Sequence, residues 1–365
     1  MTVNRRGEAV LQPSVAANEI WKTTASGQQG AVGDCLAPTP RVVDIDHGVV
    51  MVVTDLHGDW PLYERYRDIF LALRERGLVD TLILAGDFIH SEGPSETDQS
   101  LDIVLDLISL RETLGPRLVV LLGNHEMVHL YAVVLSKGDF TYTPRFEAAL
   151  GKHRDAVLAF FDSLPFFVRT HAGVALCHAG AFPQARDRDA MAQLFAFSHR
   201  DVWARGAARA PLRYREPLRL RLGELSDAPY EDLVREYFAI TDPNDPHYDD
   251  YLISQFAMAE PDFDLLWEAF CESNELQYGE VAYAGYVEAL LHHLSEDYAP
   301  QSVLVTGHIG CRNGYRVVAG GRQLRLASGI HAYPYESARY LLFDAGKPVT
   351  DVKGLSSGIG SVLVH

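Results

Sequence analysis

No apolar run in this 365-residue chain reaches the ~18 residues that a membrane-spanning helix needs, so no membrane partner is expected. The opening MTVNRRGEAVLQPSVAANEI has two arginines but no apolar core behind them, and does not read as a secretory signal. Cysteine is scarce: Cys35, Cys177, Cys271 and Cys311 are scattered, with no C-x-x-C spacing. Four buried or free thiols in a cytoplasmic protein is the reading that follows. No internal repeat or low-complexity tract is evident. What remains is an ordinary soluble composition, 47% hydrophobic and 22% charged, long enough for one large domain or two medium ones.

The formal net charge of −17 argues against a nucleic acid duplex as partner. It is unevenly spread. Between Glu224 and Asp297 stand 19 acids against the single Arg235, whereas Arg186 to Arg221 holds nine arginines, four acids and no lysine. Such a pattern reads as solvated helical faces pairing with each other, or as an Arg-rich patch for phosphate beside an acidic filter.

Residues 1 to 40 carry little periodicity and read as an N-terminal extension. From Gly48 onward, VVMVVTDLHGD, TLILAGD, RLVVLLGNHE, GVALCHAG and SVLVTGHIG share one form, a short apolar run that stops at polar residues. Such runs predict strands buried on both faces. Helices are predicted over 61–76, with Pro61 near the first turn and Gly77 as the stop, over 100–114, and over 146–162. The alternation gives an α/β fold around a central sheet. Residues 41–365 form the domain, and the Arg- and acid-rich 186–300 reads as a long, mainly helical insertion or cap. Its TDPNDPHYDD break lacks the Gly and terminal Glu of an EF-hand loop, which excludes that kind of calcium site.

Each apolar run ends in groups that bind metals: Asp55 and His57, Asp87, Asn124 and His125, His178, and His308. Ligands collect at the carboxyl ends of strands in open α/β sheets, so these side chains converge if the runs are neighbours. Carboxylate, imidazole and amide donors together suit manganese, iron or zinc rather than calcium.

These motifs, D-x-H-G at 55–58, G-D at 86–87, G-N-H-E at 123–126, H-A-G at 178–180 and G-H at 307–308, resemble the calcineurin-like metallophosphoesterase superfamily. Within it they look most like the phosphoprotein phosphatases, over roughly 48–180 and 302–345. The resemblance implies a mixed β-sheet sandwich flanked by helices and two divalent metal ions, with manganese first in expectation. Asp55, His57 and Asp87 would hold one metal. Asp87 would bridge to the other, completed by Asn124, His178 and His308. A metal-bridging hydroxide would attack phosphorus, with His125 as general acid. The substrate would be a phosphorylated protein, on serine or threonine and conceivably tyrosine. A dinucleoside polyphosphate or another small phosphoester is the alternative.

The chain departs from that family where Gly86-Asp87-Phe88-Ile89-His90-Ser91 lacks the acid that orients the general-acid histidine and the Arg that grips phosphate. Glu92, Asp59 or another acid would have to orient His125. Leu122 stands where the family has Arg before G-N-H-E, and 130 positions separate His178 from His308. Arg200, Arg205, Arg312 and His331 are the substitute candidates for holding phosphate, while Trp60, Tyr333 and Tyr335 read as packing residues.

Two readings compete. His125-Glu126-Met127-Val128-His129 also matches H-E-x-x-H, the helical zinc site of metalloproteases, but that reading leaves the other strand ends unexplained. A metallophosphoesterase-fold protein kept only for binding should have lost ligands, and all six are present.

Overall fold

Every one of the five apolar runs carries a strand, and the strands divide between two sheets. In the computed structural model, which describes residues 2–3, 9–10, 40–271 and 274–362, Val49–Val53, Thr81–Leu84 and Leu118–Val120 lie parallel in one sheet. Antiparallel Arg339–Asp344 and Ile359–Ser361 extend it on the far side of Val49–Val53. Val174–Cys177 and Val303–Thr306 are parallel neighbours in a second, six-stranded sheet. Gln323–Leu326 and Tyr315–Val318 continue it on one side, Phe167–Thr170 and Val42–Ile45 on the other.

The two sheets share one core. Val50, Val52 and Ile83 of the first pack with Val174, Leu176 and Val305 of the second, all fully buried. Burial of each such side chain contributes about 1.5–3 kcal/mol. The intervening Met51, Val53 and Leu82 are buried on the opposite face, so these strands are apolar at every position rather than at alternate ones. The mixed sandwich expected from the motifs is the fold observed, with one refinement. Apolar continuity marks a strand as doubly covered but does not say to which sheet it belongs.

Helices follow the expected spans closely. Trp60–Glu75 begins at Asp59, whose side chain accepts from Leu62 N–H at 3.1 Å, and chain reversal follows at Gly77, φ +67°. Ser100–Leu114 ends at Gly115. The single helix predicted over 146–162 is instead two, Thr143–Leu150 and Arg154–Asp162, because Gly151 takes a left-handed backbone between them.

The chain divides into two compact units. The sandwich belongs to 40–127, 159–197 and 265–365. The other unit, over 128–158 and 198–264, is mainly helical, with one short hairpin of Ser136–Lys137 and Phe140–Thr141. There His199–Arg209, Leu212–Ser226, Tyr230–Phe238 and Asp250–Ala257 gather around Leu222, Val234, Leu252 and Phe256. A side chain at Gly206 would strike the backbone of Ala257, so glycine there lets two helices approach closely. The segment 186–300 is mainly helical as expected, and its two ends, 186–197 and 265–300, pack with the sandwich unit.

Apart from Pro40 and the short paired strands Thr2–Val3 and Ala9–Val10, the proposed N-terminal extension lies outside the described residues. Among the described residues no helix is long and apolar enough to cross a membrane. Cys177, Cys271 and Cys311 are buried.

Candidate metal centre

All five strand ends meet at one edge of the sandwich. Three groups of side chains there hold their ligand atoms within 4.8 Å of one another: Asp55, His57 and His331; His57, Asp87 and His125; Asp87, His178 and His308. His57 and Asp87 each belong to two groups, so the three form one continuous cluster. Asn124 joins through its Oδ1, 2.9 Å from His178 Nε2. The six ligand candidates and His125 are therefore brought together, with His331 added from a loop.

The backbone is bent to achieve this. Asp55, His57, Asp87 and His308 all have positive φ, between +46° and +68°. Such conformations are rare for residues with a side chain and concentrate at functional sites. Glycine is needed where the chains crowd: a Cβ at Gly307 would collide with Asp55 Oδ2, and one at Gly123 with Asp87 Oδ1.

The buried polar atoms that carry no hydrogen bond include Asp55 Oδ2, His57 Nε2 and Asp87 Oδ2, with His331 Nδ1 beside them. Buried polar atoms are normally satisfied, and an unpaired one costs about 1–3 kcal/mol. Asp87 Oδ2 is 4.0 Å from His57 Nε2, and 3.1 Å from His178 Nε2 without hydrogen-bond alignment. His178 Nδ1 donates to Ala85 O at 2.8 Å, which leaves its Nε2 among Asn124 Oδ1, Asp87 Oδ2 and His308 Nδ1. His178 Nε2 donates to Asn124 Oδ1, whereas Asp55 Oδ2 and Asp87 Oδ2 are buried acceptors with no hydrogen bond, and such acceptors call for a cation beside them. The donor set fits a divalent metal.

Burial and neighbouring charges redistribute protonation among these groups. Burial works to raise the Asp55 pKa, but His331 beside it prevails and holds the carboxyl at about 2. Burial, with the His331 charge, lowers His57 to about 4, so its imidazole is neutral and free to coordinate. Burial likewise pushes His125 well below the ordinary value, aided by His57 and His90. His178 goes the other way, to about 9, because Asp87 overcomes its burial.

The outer contacts hold the centre in place. Glu126 is fully buried and accepts from four amides, Gly123, Asp87 and Phe88 at 3.0 Å and Ile89 at 3.3 Å. Burial and the Asp87 charge raise its pKa to about 8, against the pull of those donors. Asp87 Oδ1 accepts from His125 N–H at 3.1 Å, tying the strand end to the Asn124–Leu130 helix. The H-E-x-x-H match finds no zinc ligand set among the described residues. Its glutamate is occupied by the amides, and His129 Nδ1 lies 2.6 Å from Glu147 Oε1.

His90 occupies the sequence position at which the resemblance expects the acid that orients His125. Its Nδ1 sits 2.9 Å from His125 Nδ1, filling the place for which Glu92 or Asp59 had been considered. Asp59 instead caps a helix and accepts from Tyr335 Oη at 2.6 Å. The only signal for His90 in the sequence was its position, three residues after Asp87.

The phosphate candidates separate. The His331 ring lies 4.7 Å from that of His57, tilted at 56°. Arg312 is exposed on a short strand whose partner residue is Tyr333, two positions past His331. Arg200 and Arg205 lie on the His199–Arg209 helix of the helical unit, where Arg205 is exposed and pairs with Glu260 at 3.0 Å and with Asp262. Tyr333 and Tyr335 do not pack as expected. The turn at Pro334 carries them outward, to 58% and 39% exposure.

A family model for calcineurin-like phosphoesterases matches residues 48–271, ending before the His308 strand. No curated protein sequence matches. Similar solved structures include a cold-active protein tyrosine phosphatase, at 13% identity over 83% of this chain and 75% of that one, TM-score 0.45. Another is a protein serine/threonine phosphatase from Saccharomyces cerevisiae, at 13% identity over 83% and 76%, TM-score 0.43. A third is a cold-active protein-tyrosine phosphatase from a Shewanella species, at 14% over 83% and 77%, TM-score 0.39. With its match spanning more than half the chain, and metal-capable side chains gathered at the strand ends, this protein belongs to the calcineurin-like phosphoesterase family.

Proposed function

We propose that this protein is a dimetal phosphomonoesterase acting on phosphorylated protein. The observation that carries the metal reading is the trio of buried, unbonded ligand atoms on Asp55, His57 and Asp87. In this reading Asp55, His57 and Asp87 hold one ion, and Asp87, Asn124, His178 and His308 the other, with manganese expected ahead of iron or zinc. Two such ions, when bound, supply Lewis acidity toward phosphate oxygens and make water a nucleophile near neutral pH.

The chain's own residues do the rest. Glu126 fixes the loop that carries Asp87. His125 turns Nε2 toward the cluster, 4.0 Å from Asp87 Oδ2, where it can donate to the leaving oxygen. Arg312 and His331 are the candidates for meeting phosphate, His331 lying against the His57 ring and Arg312 standing exposed opposite Tyr333. The preference for a protein substrate comes from the motif set.

One observation favours a second reading. Exposed Tyr333 directly opposite exposed Arg312 offers an aromatic face beside a cation, which suits an aryl or nucleotide leaving group such as a dinucleoside polyphosphate. Metal analysis coupled to a panel of phosphoserine, phosphothreonine and phosphotyrosine peptides, dinucleoside polyphosphates and diesters decides between them. Two bound metals without hydrolysis of any ester would reject the enzyme reading and leave a binding protein on the same fold.

A further inference from the structure

We propose that His90 is the positioning residue for His125, holding it in the tautomer that carries its proton on Nε2. The catalytic consequence rests on the phosphoesterase reading above; the tautomer itself rests on geometry. His90 is 2% exposed, and its Nδ1 lies 2.9 Å from His125 Nδ1, the rings 5.0 Å apart and inclined at 62°. Two imidazole nitrogens at that distance share one proton, so one donates and the other accepts. With the proton on His90, His125 Nδ1 accepts and the single proton of that ring sits on Nε2. That nitrogen faces Asp87 Oδ2 at 4.0 Å. The opposite assignment would turn a bare lone pair toward the same carboxylate, so the electrostatics select the Nε2–H form.

The local chain explains why His90 reaches this point. Its backbone is left-handed, φ +71°, and its amide donates to Ser100 Oγ at 2.8 Å. Ser100 Oγ in turn donates to Asp98 Oδ1. The start of the Ser100–Leu114 helix therefore anchors the turn that presents the ring. An imidazole also differs from a carboxylate in carrying no negative charge. It orients His125 without adding a third acid to a pocket where Asp55 and Asp87 are already buried.

Protein carrying 15N-labelled histidine, metal-free and zinc-loaded, tests the tautomer by NMR. A coupling across the hydrogen bond between the two Nδ1 atoms, with His125 nitrogen shifts of the Nε2–H form, is expected, and the coupling should vanish in His90→Ala. No coupling, or a His125 proton on Nδ1, overturns the assignment. Kinetics then test the positioning role. His90→Ala should keep its metals and slow phenyl phosphate roughly 10–100-fold in kcat, the usual loss when an orienting partner is removed, with little change in KM. The loss on p-nitrophenyl phosphate, whose leaving group needs little assistance, should be smaller. His90→Asn, which can still donate, should restore part of the rate. Equal losses on both esters, or no loss, overturn the role. A wild-type protein that hydrolyses neither ester would reject the phosphoesterase reading, while the NMR result would still decide the tautomer.

Discussion

His125 and His129 stand four residues apart in one helix, and their surroundings differ in kind. Around His125, Asp55, His57 and Asp87 each leave a buried ligand atom without a hydrogen bond. Around His129, in the helical unit, Glu147 takes His129 Nδ1 on one oxygen and the Arg154 guanidinium on the other, and Arg154 also donates to Phe238 O at 2.9 Å. His247 similarly lies between Asp155 at 2.9 Å and Asp250 at 2.7 Å. Both regions are rich in histidine and acid. One set closes on itself and is structural; the other converges on a point it cannot satisfy, the mark of a site built for something else.

Substitutions at the open set should act on turnover, and those at the closed sets on stability. The largest effect is expected from Asp87→Asn, which weakens both metal positions. Turnover should fall by more than the roughly 100-fold typical of losing an outer partner, with metal content falling in parallel. Retention of most activity would remove Asp87 as the shared ligand. His125→Ala should keep its metals and slow esters with poor leaving groups by about 10²–10⁴-fold, the range for a general acid. Loss of metal instead would make His125 a ligand and revive the H-E-x-x-H reading.

In the helical unit, Glu147→Ala strands His129 and Arg154. Denaturant unfolding should show a loss of about 3–5 kcal/mol, as for a broken buried pair, with the metal content unchanged. An unaltered midpoint would mean that this closed set stabilises nothing.

Opposite pH limits offer a subtler test. Hydrogen bonding to Asp250 first, then to Asp155, lifts His247 to about 9. That stabilisation is present below the unfolded histidine value of about 6.5 and is lost as pH rises through 9. Glu275 in the sandwich unit is the reverse. Burial works to raise its pKa, but Arg325, bonded at 2.7 and 3.1 Å, wins and depresses it. Its contribution is present above the unfolded carboxylate value and lost as pH falls through the depressed one. Amide exchange in Asp250–Ala257 should therefore accelerate toward alkaline pH, and in Gln323–Leu326 toward acid. His247→Gln and Glu275→Gln should each flatten their own profile, and a profile unmoved by its substitution would remove that group as the cause. The smallest effect is expected of Arg205→Ala, about 0–1 kcal/mol as for an exposed ion pair, with KM for phosphoesters unchanged. A raised KM would return Arg205 to the phosphate site.

Much of this was legible in the chain because burial on both faces leaves an unmistakable apolar run, and each run ended in a metal-binding residue. The ligand candidates that meet in the structure, Asp55, His57, Asp87, Asn124, His178 and His308, were all marked that way. Division into two sheets was not legible, since a doubly covered strand looks the same in either. His90 escaped because its reach depends on a left-handed backbone and a serine anchor ten residues on. The break at Gly151 was hidden by apolar residues that keep helical spacing across it. The outward turn of Tyr333 and Tyr335 escaped because aromatic character suggests packing and says nothing of direction.

The left-handed backbone at Asp55, His57, Asp87 and His308 bears on how such a protein can change over generations. Each of these residues holds a conformation that costs on the order of 1–3 kcal/mol and that glycine would adopt freely. A lineage released from the need to bind metal would gain stability at the very positions where it lost the ligands. Stability and ligand geometry therefore pull in opposite directions at these four positions.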